Sequence, residues 1–195
     1  MIALLLMLLQ ATPALVDNAY VRAVRNAAPC ASAQAACGRR VLVALGPLTL
    51  AQTGHPARTL SRGDIAVFAP AESYDVHGDA FVEVVIKATH PAATRPPSYV
   101  HAEKNRRLYD SNDLFIFEEQ LAPGDTRPRH GHAERLVIVV NDTRLQQWQD
   151  DGQEVFKNQV PDNVHFNQPV AHKVVNVGRQ PLRNIVIEFK PPSER

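Results

Sequence analysis

The stretch Pro123-Gly-Asp-Thr-Arg-Pro-Arg-His130-Gly-His132-Ala-Glu134-Arg-Leu-Val-Ile-Val-Val-Asn141 is the most informative in the chain. A Pro-Gly-Asp turn leads into a segment whose side chains at 130, 132 and 134 share one face if it is extended, because successive side chains alternate across a strand. Two imidazoles and a carboxylate then converge on one point. That donor set suits Fe(II), Mn(II), Zn(II), Ni(II) or Cu(II), and nothing in it selects among them. The apolar, β-branched run that follows, Leu136-Val-Ile-Val-Val140, reads as a buried strand.

The same kind of run recurs along the chain at 20–25, 41–45, 65–68, 81–86, 114–117 and 185–189. These short segments are punctuated by Gly, Pro, Asn and Asp, and no long stretch carries a helical period with caps. The 15 prolines against 9 glycines fit many short elements joined by turns. The chain is therefore expected to be all-β, a sandwich, jelly roll or barrel.

With 195 residues, 45% hydrophobic and 21% charged, it can bury a core and form one domain or two compact ones. The formal charge of +1 has no basic cluster behind it, which argues against a nucleic-acid groove or a polybasic membrane face. A regulatory half of a DNA-binding protein is disfavoured on the same ground, and no helix-turn-helix pattern is present.

Residues Arg40-Val-Leu-Val-Ala-Leu-Gly-Pro-Leu-Thr-Leu-Ala-Gln52 resemble Arg135-Leu-Val-Ile-Val-Val-Asn-Asp-Thr-Arg-Leu-Gln-Gln147 in strand, turn and strand. Each copy runs on to a strand followed soon by proline. An offset near a hundred residues points to two related β-units rather than a solenoid, whose periods are about 20–50. The Pro-rich, polar stretch between the copies is the expected linker.

An HxH pair among 8 histidines in 195 residues arises by chance roughly 0.3 times, so His130 and His132 alone carry little. His172, in Pro169-Val-Ala-His172-Lys-Val-Val-Asn176, raises the signal, because a ligand from a strand distant in sequence is what a closed barrel supplies. His165 is close enough to rival it, but its neighbours fit no motif, and it reads as a turn or pocket-lining residue.

At these residues the chain resembles the cupin superfamily, whose motifs are G(X)5HXH(X)3–4E(X)6G and G(X)5PXG(X)2H(X)3N. Gly124, His130 and His132 fit the first without a gap, Glu134 and Asn141 fit its end with Asn for Gly, and His172 and Asn176 fit the end of the second. The resemblance implies a double-stranded β-helix jelly-roll barrel, here as two tandem units, with one divalent transition metal on His130, His132 and His172 and with Glu134 as a fourth ligand. Two departures bear on this. One residue separates His132 from Glu134 where the family has three or four, and Asn167 and Pro169 replace the Pro and Gly of the second motif. Glu134 then remains a ligand, a base beside the site or a surface carboxylate.

The resemblance covers 112–190 well and the first half in outline. There Arg39 stands where a carboxylate ligand would, and an arginine cannot bind a cation. The expected layout is a leader over 1–16, a metal-free cupin-like unit over 17–92, a linker over 93–111, a metal-bearing barrel over 112–190 and a tail over 191–195.

The apolar run Met1-Ile-Ala-Leu-Leu-Leu-Met-Leu-Leu9 followed by Ala-Thr-Pro-Ala14 reads as a secretory signal, with a buried N-terminal element as the other reading. Export would make the protein periplasmic or secreted, off the membrane once the signal is removed, and would favour a disulfide between Cys30 and Cys37. The expected partner is a small-molecule ligand or substrate and not a nucleic acid, with homodimerisation through edge strands implied by the resemblance. Two functions are expected of such a site. One is a mononuclear metal enzyme of dioxygenase, isomerase or decarboxylase type; the other is a non-catalytic ligand-binding protein or a barrel with a structural metal.

Overall fold

The computed structural model describes residues 12–27, 38–95 and 104–191. Cys30, Cys37 and the apolar run 1–9 lie outside the described residues. The N-terminal half contributes β1 (Ala14–Asp17), β2 (Val21–Arg25), β3 (Arg40–Ala44), β4 (Leu48–Gln52), β5 (Arg58–Leu60), β6 (Ile65–Phe68), β7 (Tyr74–Gly78) and β8 (Phe81–Ile86). The C-terminal half contributes β9 (Asn105–Asp110), β10 (Leu114–Leu121), β11 (Thr126–His132), β12 (Arg135–Val139), β13 (Thr143–Trp148), β14 (Glu154–Gln159), β15 (Val164–Asn167), β16 (Val170–Asn176) and β17 (Leu182–Phe189).

The fold is all-β, and each apolar run of the sequence is a strand. β1 includes the last residues of the stretch read as a leader, and β9 lies inside the stretch read as a linker. Asn105-Arg-Arg-Leu-Tyr-Asp110 looks like a loop because it is charged, but it pairs only with β10 as an edge strand, where charge is tolerated and discourages further pairing.

A large sheet of order β1-β2-β8-β3-β6 and a small one of order β5-β4-β7 make up the first half. The second half repeats this order as β9-β10-β17-β12-β15 and β14-β13-β16, with β11 added at the outer edge of the small sheet. The segment of the first half that would correspond to β11 falls between β2 and β3, where residues 28–37 lie outside the described set.

The two large sheets bury one face against each other and the other inside their own half. Along β3, Val41 and Val43 join the core between the halves, whereas Leu42 and Ala44 join the interior of the first half. Along β12, Leu136 and Ile138 face the shared core and Val137 the second interior. All residues of both strands are buried, which explains their unbroken apolar runs. Burial of each such aliphatic side chain contributes roughly 1.5–3 kcal/mol. Rim pairs close the junction: Asp162 with Arg25 and Arg62, and Asp113 with Arg39.

Candidate metal centre

His130 and His132 stand on β11, the edge strand of the small C-terminal sheet, and His172 on β16 beside it, directly across from His130. One ring nitrogen from each lies within 4.8 Å of the others, and the ring centroids are 4.7, 4.7 and 5.3 Å apart. The cluster is buried apart from a half-buried His130.

A bulge in β11 creates this arrangement. Between Arg127, opposite Val174, and His130, opposite His172, β11 holds one residue more than β16. Pro128 sits there, where an edge strand can spare the missing N–H. The extra residue resets the alternation, so Arg127 and both histidines point inward although their numbers differ in parity. Asn176 locks the far end of β16. Its amide donates to the carbonyls of Leu121 and Gln180, each at 2.9 Å, and its Oδ1 accepts from Thr143 Oγ1 at 2.8 Å and from the Gly178 amide at 3.0 Å. A Cβ on Gly178 would lie 2.3 Å from Thr143 Oγ1, so this close turn requires glycine.

The proton positions follow from the surroundings. His130 Nδ1 donates to the Pro128 carbonyl at 2.8 Å, which leaves its Nε2 as a lone pair. His132 Nδ1 has no hydrogen-bond partner among the described residues, but the Glu188 carboxylate 3.5 Å away favours a proton there, which leaves Nε2 of His132 a lone pair too. These two Nε2 atoms face each other at 2.9 Å. Nε2 of His172 is buried with no hydrogen-bond partner among the described residues. Two lone pairs at contact distance and a third orphaned nitrogen form a site that a cation satisfies. Burial pushes all three imidazoles toward the neutral form that binds metal; for His172, burial first and then the neighbouring histidines, Arg135 and Lys157 take the value down to about 2.

Glu134 does not join the three. β11 ends at His132, and the chain crosses at Ala133 and Glu134 into the other sheet, so the strand alternation no longer aims residue 134 inward. Its carboxylate is buried toward the N-terminal half and accepts from the Thr94 amide at 3.1 Å and from Thr94 Oγ1 at 2.9 Å.

A cavity of about 250 Å³ adjoins His132 and His172. It lies between an apolar layer of Phe115, Phe117, Val137 and Val186 and another of Leu121, Leu145, Val174 and Leu182. Its wall includes Glu119, Arg135, Gln147, Lys157 and Asn184, none of which a motif marks, together with His165. Glu119 extends β10 beyond the apolar run 114–117, and the strand's alternation is the only sequence signal for it. Its oxygens accept from Arg127 at 2.7 Å and from Asn184 at 3.1 Å. Burial raises this carboxyl, but Arg127, the nearby histidines and Asn184 outweigh it, so the group is held below its ordinary range as an anion.

No protein-family model and no curated protein matches the chain. Among solved structures it is similar to AerE from Microcystis aeruginosa, at 15% identity over 87% of this chain and 85% of that one, with a TM-score of 0.57. A cupin 2 conserved barrel domain protein from Leptotrichia buccalis gives 14%, 87%, 82% and 0.54 in the same terms. A variant of the oxalate decarboxylase of Bacillus subtilis gives 11%, 89%, 70% and 0.58. At these identities the likeness establishes the cupin fold.

Proposed function

We propose that this cupin-fold protein holds one divalent transition metal on His130, His132 and His172 and acts there as an enzyme on a small organic molecule. The observation that carries the reading is the pair of facing Nε2 lone pairs 2.9 Å apart beside the orphaned Nε2 of His172. A metal in such a site polarises a bound oxygen or acidifies bound water.

The rest of the chemistry belongs to the chain. The Pro128 carbonyl holds the His130 imidazole, the outer-shell role that sets ligand tautomer and orientation, and the Glu188 carboxylate stands 3.5 Å from His132 Nδ1. Glu119 presents an ionised carboxylate to the cavity, pinned by Arg127 and Asn184, and is placed to accept a hydrogen bond or a proton from a bound substrate. The cavity favours catalysis or ligand capture over a purely structural metal, since structural sites are closed by their protein ligands.

Elemental analysis of protein purified without a metal-affinity column tests the reading. One equivalent of a transition metal is expected, falling below a tenth of an equivalent in His130→Ala and His132→Ala. A modest loss of melting temperature in these variants marks a functional ion, and a collapse of the fold marks a structural one. Metal-free protein that takes up none on titration would overturn the proposal.

A further inference from the structure

We infer that the ligand taken by this cavity is a small organic carboxylate, held by Arg135 and Lys157. The inference deepens the proposed function and rests on the same cavity.

The charge of the wall carries it. Arg135 is only 6% exposed, yet its guanidinium donates just to the carbonyls of Ala133 and Gln168, both at the long distance of 3.3 Å. It has no ion pair among the described residues; burial disfavours its charge, and Glu188, directly across on β17, and then Glu119 favour it. Both contacts come from one nitrogen, Nη1, and no Arg135 nitrogen is both buried and unpartnered among the described residues, so the remaining donors are left to solvent or a ligand in the open cavity. Lys157 on β14 comes in from the rim and has no ion pair or hydrogen bond among the described residues. It stands close enough to Arg135 that the arginine, after burial, disfavours its charge, and His165 is held toward its neutral form by burial first and then by Lys157 and Arg135. Cations that converge on a void against their own repulsion mark a place for an anion.

The carboxylates nearby, Glu188 and Glu119, offset part of this charge and have partners of their own. Glu119 is bonded to Arg127, itself 1% exposed. Glu188 accepts from the Ala133 amide at 2.5 Å and faces His132. With a divalent metal on the histidines the enclosure is further in positive excess. The cavity is smaller than the 300–1,000 Å³ usual for drug-sized ligands, so the anion is small. A planar fork such as that of Arg135 matches a carboxylate bidentately.

The test uses the full chain loaded with the metal found by elemental analysis. Malonate, succinate and 2-oxoglutarate are titrated by calorimetry beside inorganic phosphate and the neutral succinamide. At least one of the three carboxylates is expected to bind, weakening as salt is raised, while succinamide does not. Lys157→Gln, an exposed position that leaves the fold intact, is expected to weaken binding about tenfold, and Arg135→Gln by thirtyfold or more, both with metal content unchanged. Failure of all three carboxylates on metal-loaded protein overturns the inference and leaves the metal reading standing. So does tighter binding of phosphate or equal binding of succinamide, or indifference of a bound carboxylate to Lys157→Gln in folded protein. Carboxylate binding that depends on Lys157 in a protein that takes up no metal would sustain the inference while the metal reading fell.

Discussion

The interiors of the two halves answer the same topology in opposite ways. Both place an arginine at the start of the equivalent strand, Arg40 on β3 and Arg135 on β12, each side chain buried. In the first half Arg40 lies over the rings of Phe68 and Tyr74, at 5.7 and 5.6 Å, and donates to the Glu72 carbonyl, while its Nε and Nη1 are buried without a partner among the described residues; the Tyr74 hydroxyl donates to the buried Glu83, and Leu42, Leu48, Leu50 and Phe81 pack around them. In the second half Arg135 borders a cavity walled by Glu119, Gln147, His172 and Asn184. Packed apolar side chains stabilise a fold, whereas a polar void costs stability and leaves room for chemistry. The first interior is the more apolar of the two, and both halves contribute to the core shared between the large sheets.

The contrast breaks most readily at Phe68, which is fully buried and stacked on Tyr74 with centroids 4.4 Å apart. Phe68→Ala should cost about 3–5 kcal/mol by chemical denaturation, with metal stoichiometry per folded molecule unchanged. If that variant lost metal as readily as it lost stability, the two interiors would not be separable in function.

Acid should act on the second interior. His172 titrates near pH 2 when folded and near 6.5 when unfolded, so below pH 6.5 the unfolded chain binds more protons. Stability of the metal-free protein therefore falls as the pH drops through that window, by up to about 1.4 kcal/mol per unit for this one histidine. Between pH 6.5 and 5 the loss is about 1.7 kcal/mol, because the unfolded histidine is only half protonated at the upper end. Melting curves at those two values should show it, and His172→Gln should flatten the slope. An equal slope in the variant would mean that His172 is solvated when folded.

Much of this was legible in the sequence, for definable reasons. Strands buried on both faces announce themselves as unbroken apolar runs, as Val41 to Leu45 and Leu136 to Val140 do. The three histidines are legible because two of them bracket one residue of a strand and the third lies on another, ahead of its Asn176. What escaped depends on geometry that a linear pattern does not encode. Counting alternate residues from His130 placed Glu134 on the same face, but alternation ends where β11 stops at His132 and the chain changes sheets. Glu119, Arg135 and Lys157 come from three strands and meet only across the cavity. The charged edge strand β9 has no apolar face strong enough to betray it.

Filling the second interior should make it resemble the first. Gln147 is buried and its Oε1 has no hydrogen-bond partner among the described residues. Gln147→Leu removes that cost and should raise stability by about 1–2 kcal/mol, read as a higher melting temperature, while weakening any ligand of the cavity. A loss of stability would show that the amide is satisfied by ordered water, and that the cavity is wet by design.

The smallest effect is expected where the halves meet, at Glu134. Its carboxylate accepts from Thr94 through both the amide and the hydroxyl, and it buries its charge beside Tyr20, whose phenol is pushed up by burial and then by this carboxylate. Glu134→Gln keeps an acceptor oxygen of the same shape and exchanges charge-assisted hydrogen bonds for neutral ones, a difference of about 1 kcal/mol. The metal affinity of this variant should match the wild type, because the side chain leaves the barrel on the side away from His130, His132 and His172. A metal ligand cannot be neutralised so cheaply: were Glu134 to swing back and coordinate, the same substitution would weaken the metal site by an order of magnitude or more while barely moving the melting temperature. Measured together, the two quantities decide whether this carboxylate ties the halves to each other or serves the metal.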